Sequence, residues 1–392
     1  LPREFCILMA NSKEVLKYLK LSVDVEQEPG EEIRNHIRNT LLGTPGKLRY
    51  RHTSLETKLP FLGRIYFLIL RKSGKLLGSI AFSLREIKSN SRSHDAWYVR
   101  YFSVQAPLRD SNYKQQRLNR EERKRQKRQK DKPHGDSLLK NFVQPYFDEP
   151  DKMLAGNKAN KPRSLVYAFV ERENLRSWNF TELVGFETVG RVCTMIFSRY
   201  NPVKHPKVSL ITESEKAPHL ERLREYYRNY SFFTEQNLYY QEYYLVWREN
   251  GEIIAGCQAN PESWEIVNFP GGMSRFLIKY GGKLPVIRRY IVPGYQKFIA
   301  VEGIWFREGH EQCLHDLFET ACAMYGLHSV VIWLDERSPL LKTLQSLGRL
   351  GIIGKFFKPA YVDIRVKFNN YRKEDRKIYF EQPAYLSCFD MS

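Results

Sequence analysis

The chain has 392 residues, 42% of them hydrophobic and 14% aromatic, with 63 Lys and Arg against 44 Asp and Glu for a formal charge of +19. That length exceeds one ordinary core and predicts two domains, and the hydrophobic content excludes a disordered chain. No apolar run is long enough to span a bilayer, the opening LPREFCILMA has too short an apolar stretch for a secretory signal, and the scattered cysteines form no CxxC pair. Neither a disulfide, a metal nor membrane attachment is therefore expected, and the expected location is cytoplasmic.

In chain order, Glu4 to Met9 reads as a strand, and Ser12 to about Leu42 as helix in two pieces broken near Pro29-Gly30. Apolar runs on either side of RKSG predict a hairpin over 65–87, and WYVRYFSV (Trp97 to Val104) a further strand. The segment Arg117 to Lys132 carries nine basic and three acidic residues with no apolar face, a solvated insertion spanning 110–133. HGDSLLKNFVQPYF has helical spacing at Leu138, Leu139, Phe142 and Val143, and SLVYAFVE (Ser164 to Glu171) reads as a strand buried on both faces. A short helix follows in NLRSWNFTELVGF, closed by Gly185, and ETVGRVCTMIFSRY reads as a final hairpin.

The second half repeats that order. KVSLITES is a predicted strand, Ala217 to Tyr230 a helix, 243–267 a hairpin around RENG, and Phe298 to Phe306 a strand. GHEQCLHDLFETACAMYG is an amphipathic helix ending at Gly326, HSVVIWLDE a buried strand, and SPLLKTLQSLG a helix with Ser338 as N-cap and Pro339 in its first turn. KPAYVDIRVKF is the last strand. RKSGKLLGS and RENGEIIAG are thus the same hairpin written twice. The halves divide as 1–200 and 207–368, with a tail over 369–392, because two prolines in RYNPVKHPK break every period.

The order hairpin, strand, helix, strand, helix, strand resembles the GCN5-related N-acetyltransferase (GNAT) fold, once per half. The sharpest match is ENLRSWNFTELVGF, in which Asn174 opens a helix, Ser177 is the small residue three on, and Gly185-Phe186 close it. The resemblance implies an α/β chain of two tandem GNAT-like domains, each a mixed, mostly antiparallel sheet flanked by helices. It further implies acetyl-coenzyme A or another acyl-coenzyme A lying between the splayed fourth and fifth strands, with its pyrophosphate at the N-terminus of the following helix.

Carried over residue by residue, the resemblance places cofactor contacts at Val104, Gln105, Ala106, Arg109, Gly135, Asp136, Ser137, Asn174 and Ser177 in the first half. In the second half it places them at Arg307 and Gly309. The sequence departs from the family twice: the basic insertion interrupts the first phosphate loop, and His310 and Glu311 stand in the second where small residues are usual. A carboxylate there repels a pyrophosphate. The position of the family's thiolate-protonating Tyr is Thr181, a far weaker acid. The base candidates are Glu302, a charge inside an apolar strand, His310 as an alternative for the same site, and Glu171 at the end of the first half's buried strand. The acceptor is expected to be a small-molecule or peptide amine. The rival expectation is a non-catalytic module that holds nucleic acid or another anionic polymer through Arg117 to Lys132.

Overall fold

A computed structural model describes residues 21–44, 46–90, 92–104, 136–154, 163–268, 289, 294–356 and 361–392. The expected strand at Glu4 to Met9, the basic segment Arg117 to Lys132, and Gln105, Ala106, Arg109 and Gly135 lie outside the described residues.

The first described element is β1 (Leu21–Glu26), where a helix was expected. LSVDVE alternates apolar and polar residues with period two, and an open sheet edge lies beside it, so it pairs antiparallel with β3 from Leu21↔Lys72 to Glu26↔Phe67. The helical piece is only α1 (Glu31–Arg38), which starts after Gly30 and buries Ile33 and Ile37. A short strand β2 (Arg49–His52) precedes the predicted hairpin, β3 (Arg64–Lys72) and β4 (Lys75–Ser89). β5 (Arg92–Val104), α2 (Asp136–Asp148), β6 (Ser164–Glu171) and α3 (Leu175–Leu183) follow as expected.

β7 (Glu187–Ser198) is one unbroken strand and not the expected hairpin. Its glycine makes no turn. A Cβ at Gly190 would lie 2.6 Å from Arg337 Nη2 and 2.8 Å from Asp335 Oδ2, so glycine is needed for close approach. In the second half, β8 (Val208–Leu210) is shorter than expected, because Thr212 and Glu215 form a capping box that starts α4 (Glu213–Tyr226) early. β9 (Tyr244–Glu249), β10 (Glu252–Asn268), β11 (Tyr295–Phe306), α5 (Cys313–Tyr325), β12 (Ser329–Asp335), α6 (Pro339–Leu347) and β13 (Val362–Asn369) complete the repeat.

The two hairpins share their turn in detail. Ser73 and Gly74 have φ of 48° and 78°, Asn250 and Gly251 have 49° and 83°, and the flanking pairs are Lys72↔Lys75 and Glu249↔Glu252. Positive φ at both central residues matches the right-handed twist of the strands.

All the strands belong to one sheet, in the order β1-β3-β4-β5-β6-β13-β7-β12-β11-β10-β9-β8, with β2 pairing off that path to β10. It is antiparallel except at β5/β6 and β11/β12. At the centre the halves exchange their last strands. β7 lies beside β12 from Ser198↔Ser329 to Val192↔Asp335, and β13 lies beside β6 from Glu171↔Val362 to Ser164↔Asn369. Neither half closes its own sheet.

Residues 369–392 are built into this core. After α7 (Lys373–Glu381), Tyr379, Ala384, Leu386 and Cys388 pack with Tyr98, Tyr167, Phe298 and Ile364. Phe389, in the short α8 (Cys388–Met391), packs with Ile33, Leu62, Phe67 and Tyr101 of the first half, and Asp390 forms a buried ion pair with Arg85.

Candidate functional site

Each half splays its parallel strand pair. β5 and β6 share only Trp97↔Val166 and Tyr98↔Tyr167, and β11 and β12 only Ile299↔Val330 to Val301↔Ile332. Beyond these pairs the strands carry on without pairing, which leaves one groove per half. At the mouth of each groove the inner strand has the same irregularity. The β4/β5 register shifts between Ser79 and Ala81, opposite Tyr101 at φ 52°, and the β10/β11 register shifts between Gly256 and Gln258, opposite Gly303 at φ 58°. Such a bulge re-aims the strand. It makes Arg100, opposite Ala81, the counterpart of Glu302, opposite Gln258.

The second groove is filled by its own half. Tyr227 donates to Ile304 O at 2.6 Å, Tyr244 donates to Gly303 O at 2.7 Å, and Tyr230 meets the Ser338 hydroxyl at 3.0 Å on the far side, just past β12. The groups expected to meet the cofactor's phosphates there are also taken. Arg307 donates to Glu252 at 2.9 Å, and Gly309 N–H donates to the Glu311 carboxylate at 3.1 Å. His310 sits on this surface turn with Nδ1 3.2 Å from Glu308 O.

Glu302 is buried away from that turn, at 4% exposure. Tyr385 donates to its Oε2 and Cys388 to its Oε1, each at 3.3 Å. Burial pushes its carboxyl up to about 7, against the pull of the hydrogen bonds from Cys388 and Tyr385. No hydrogen bond joins Glu302 to His310 among the described residues, and the partners of Glu302 come from the C-terminal segment. Aromatic residues and a cysteine gave no signal of that in the sequence.

In the first groove no side chain among the described residues hydrogen-bonds to the backbone of 99–104. Val104 ends β5 opposite Gly78, and Asp136 and Ser137 open α2 in the backbone. Asn174 caps α3 by accepting from Ser177 N at 3.4 Å. Thr181 is buried and donates to Trp178 O at 2.7 Å, so its hydroxyl is committed to the helix. Glu171 accepts from Thr44 Oγ1, and burial raises its pKa. The adjoining Lys47 pairs with Glu173 at 3.0 Å, and residues 49–52 pair with β10.

Sequence reasoning missed His52 and Arg100. His52, on β2 opposite Trp264, keeps some accessible surface, yet neither ring nitrogen has a hydrogen-bond partner among the described residues. Burial, followed by the charges of Arg100 and Lys58, holds its pKa well below the ordinary histidine range, so the ring is neutral. Lys58 itself forms a buried pair with Glu262 at 2.5 Å and donates to the Ser392 hydroxyl at 2.7 Å. Nothing distinguished Arg100 in a chain with 63 Lys and Arg. Only its equivalence to Glu302 at the bulge sets it apart.

No protein-family model and no curated protein sequence matches the chain. Solved structures do. N-myristoyltransferase of Saccharomyces cerevisiae, crystallised with bound myristoyl-CoA, matches at 9% identity with a TM-score of 0.53 over 91% of this chain and 84% of that one. A second structure of that enzyme with myristoyl-CoA matches at 8% identity and 0.53 over 90% and 80%. A tandem GNAT protein from the clavulanic acid biosynthesis pathway is similar over 90% of this chain and all of its own, at 10% identity with a TM-score of 0.48. Among the described residues no helix is long and apolar enough to cross a membrane. The chain has the tandem GNAT fold that N-myristoyltransferase also has, with its two halves joined in one long mixed sheet.

Proposed function

We propose that the chain is an acyl-coenzyme A dependent N-acyltransferase that uses a single groove, the one between β5 and β6. The observation that carries this reading is the contrast between the grooves: the second is bridged by Tyr227, Tyr230 and Tyr244, whereas among the described residues no side chain hydrogen-bonds to the backbone of 99–104. Free strand N–H and C=O groups beside a splay are what a pantetheine arm needs for hydrogen bonding. The N-myristoyltransferase structures of the same fold hold an acyl-CoA.

In the reaction, the acceptor nitrogen bonds to the thioester carbonyl carbon, the C–S bond breaks, and coenzyme A leaves as thiolate. The ammonium loses its proton before attack, and the thiolate takes one up to leave as thiol. A β5 backbone N–H at the bulge polarises the carbonyl. The base candidates are Glu302, whose carboxyl is pushed up to about 7, and the neutral ring of His52, which lies within reach of the Arg100 charge. The acyl group proposed is a short one, acetyl.

The test is acetyl-CoA titration of the full chain by calorimetry at low and moderate salt. One saturable site per chain, weakened by Asn174→Ala, is expected. Two sites, or none at either salt, would overturn the reading, and with no site the anionic-polymer reading leads.

A further inference from the structure

Arg100 is a buried cation with no ion pair among the described residues. It is 6% exposed, and its Nε and Nη1 have no hydrogen-bond partner among the described residues. The guanidinium lies 4.3 Å from the centroid of the Tyr101 ring and 5.8 Å from that of Tyr98. Ring faces attract a cation but replace only part of the hydration it lost.

The acids close enough to act on Tyr101 are already spoken for. Glu262 pairs with Lys58 and accepts from Ser54 at 3.0 Å, and Asp390 pairs with Arg85. In the equivalent place of the second half, Glu302 has Tyr385 and Cys388 as partners. Arg100, its counterpart at the bulge, has no such partner at Nε or Nη1 among the described residues. His52 on β2, whose ring feels the charge of Arg100, is another buried group with unmet hydrogen-bonding capacity among the described residues, so β2 and β5 bring unpartnered nitrogens into one neighbourhood. Each of the unpartnered Nε and Nη1 can donate a charge-assisted hydrogen bond to an anionic oxygen, as a carboxylate provides.

We infer that the acceptor is an amine that also bears a carboxylate, which pairs with Arg100 while the amine end lies toward His52. The inference rests on the acyl-transfer reading above and narrows its acceptor to amino acids and their relatives. It also explains why an unpaired cation is tolerated in the free protein: the substrate completes it.

The test compares full-length wild type, Arg100→Met and Arg100→Lys by thermal unfolding at fixed ionic strength, alone and with glycine or glycinamide as probe. Without probe, Arg100→Met is expected to melt about 2 °C or more above wild type, because a buried charge without a partner has been replaced by an apolar chain of similar length. Glycine should raise the wild-type midpoint and glycinamide should not. Arg100→Met should lose that response, and Arg100→Lys should keep part of it. If both variants melt below wild type, Arg100 serves the fold and the inference fails. Equal responses to glycine and glycinamide, or none to either, overturn it as well. Acetyl-CoA binding, measured separately, distinguishes this failure from failure of the acyl-transfer reading.

Discussion

Replacing Glu302 by Gln should reverse part of the protein's pH dependence. The carboxyl has an ordinary value near 4.5 when the chain is unfolded and is pushed up to about 7 in the fold, chiefly by burial. The native protein therefore holds a proton that the unfolded chain releases. The stability tied to this group is fully present below pH 4.5, declines as pH rises toward 7, and changes no further above it. At ~1.4 kcal/mol for each pH unit between the two values, wild type loses about 3 kcal/mol across that window. Gln keeps the size of the side chain and an oxygen that accepts from Tyr385, and it does not titrate. Urea unfolding followed by tryptophan fluorescence at several pH values between 4 and 8 gives the difference between the two proteins, in which all other titrations cancel. Glu302→Gln should gain on wild type by about 3 kcal/mol between pH 4 and pH 8, most steeply from 5 to 7. A difference that stays constant over that range would refute the claim that a buried, protonated carboxyl links β11 to the C-terminal segment.

Lys58→Met should cost about 3–5 kcal/mol in urea unfolding, since it leaves Glu262 charged and buried, and Lys58→Met/Glu262→Gln should recover most of the loss. A cost below about 1 kcal/mol would mean that the pair is hydrated in solution. Tyr227→Phe should cost about 1–2 kcal/mol by orphaning Ile304 O, while acetyl-CoA affinity stays the same; a changed affinity would point to the second groove as the cofactor site. Gly303→Ala should destabilise by about 1–3 kcal/mol, because φ is 58° there and the added Cβ would lie 2.7 Å from Leu238 Cδ2; an unchanged urea midpoint would contradict the bulge.

Local patterns in the sequence carried most of the element order. The Ser-Gly and Asn-Gly turns, the uninterrupted apolar run Ser164 to Glu171, and the Asn174 cap with Gly185 each depend on residues close together in the chain, and each appears where expected. The same logic failed where two structures compete for one pattern. LSVDVE could extend a helix, but an unpaired edge beside β3 made it a strand. Gly190 looked like a turn, but the neighbouring Asp335 and Arg337 leave no room for a Cβ.

The candidate site was legible only in part. Asn174, Ser177 and Glu302 could be singled out because a cap has a local spacing and a charge in an apolar strand is conspicuous. Repetition of the hairpin, the splayed strand pairs and the equivalence of Arg100 with Glu302 follow from sequence order once register is known. What tertiary structure alone decided is which strands lie side by side and what fills the space between them. The exchange of β7 and β13 joins the halves into one sheet, the tyrosines of 227–244 fill the second groove, and residues 384–390 supply the partners of Glu302 and Arg85. These contacts join residues tens to hundreds of positions apart, and a chain's local propensities contain nothing about the partner that burial will bring to them.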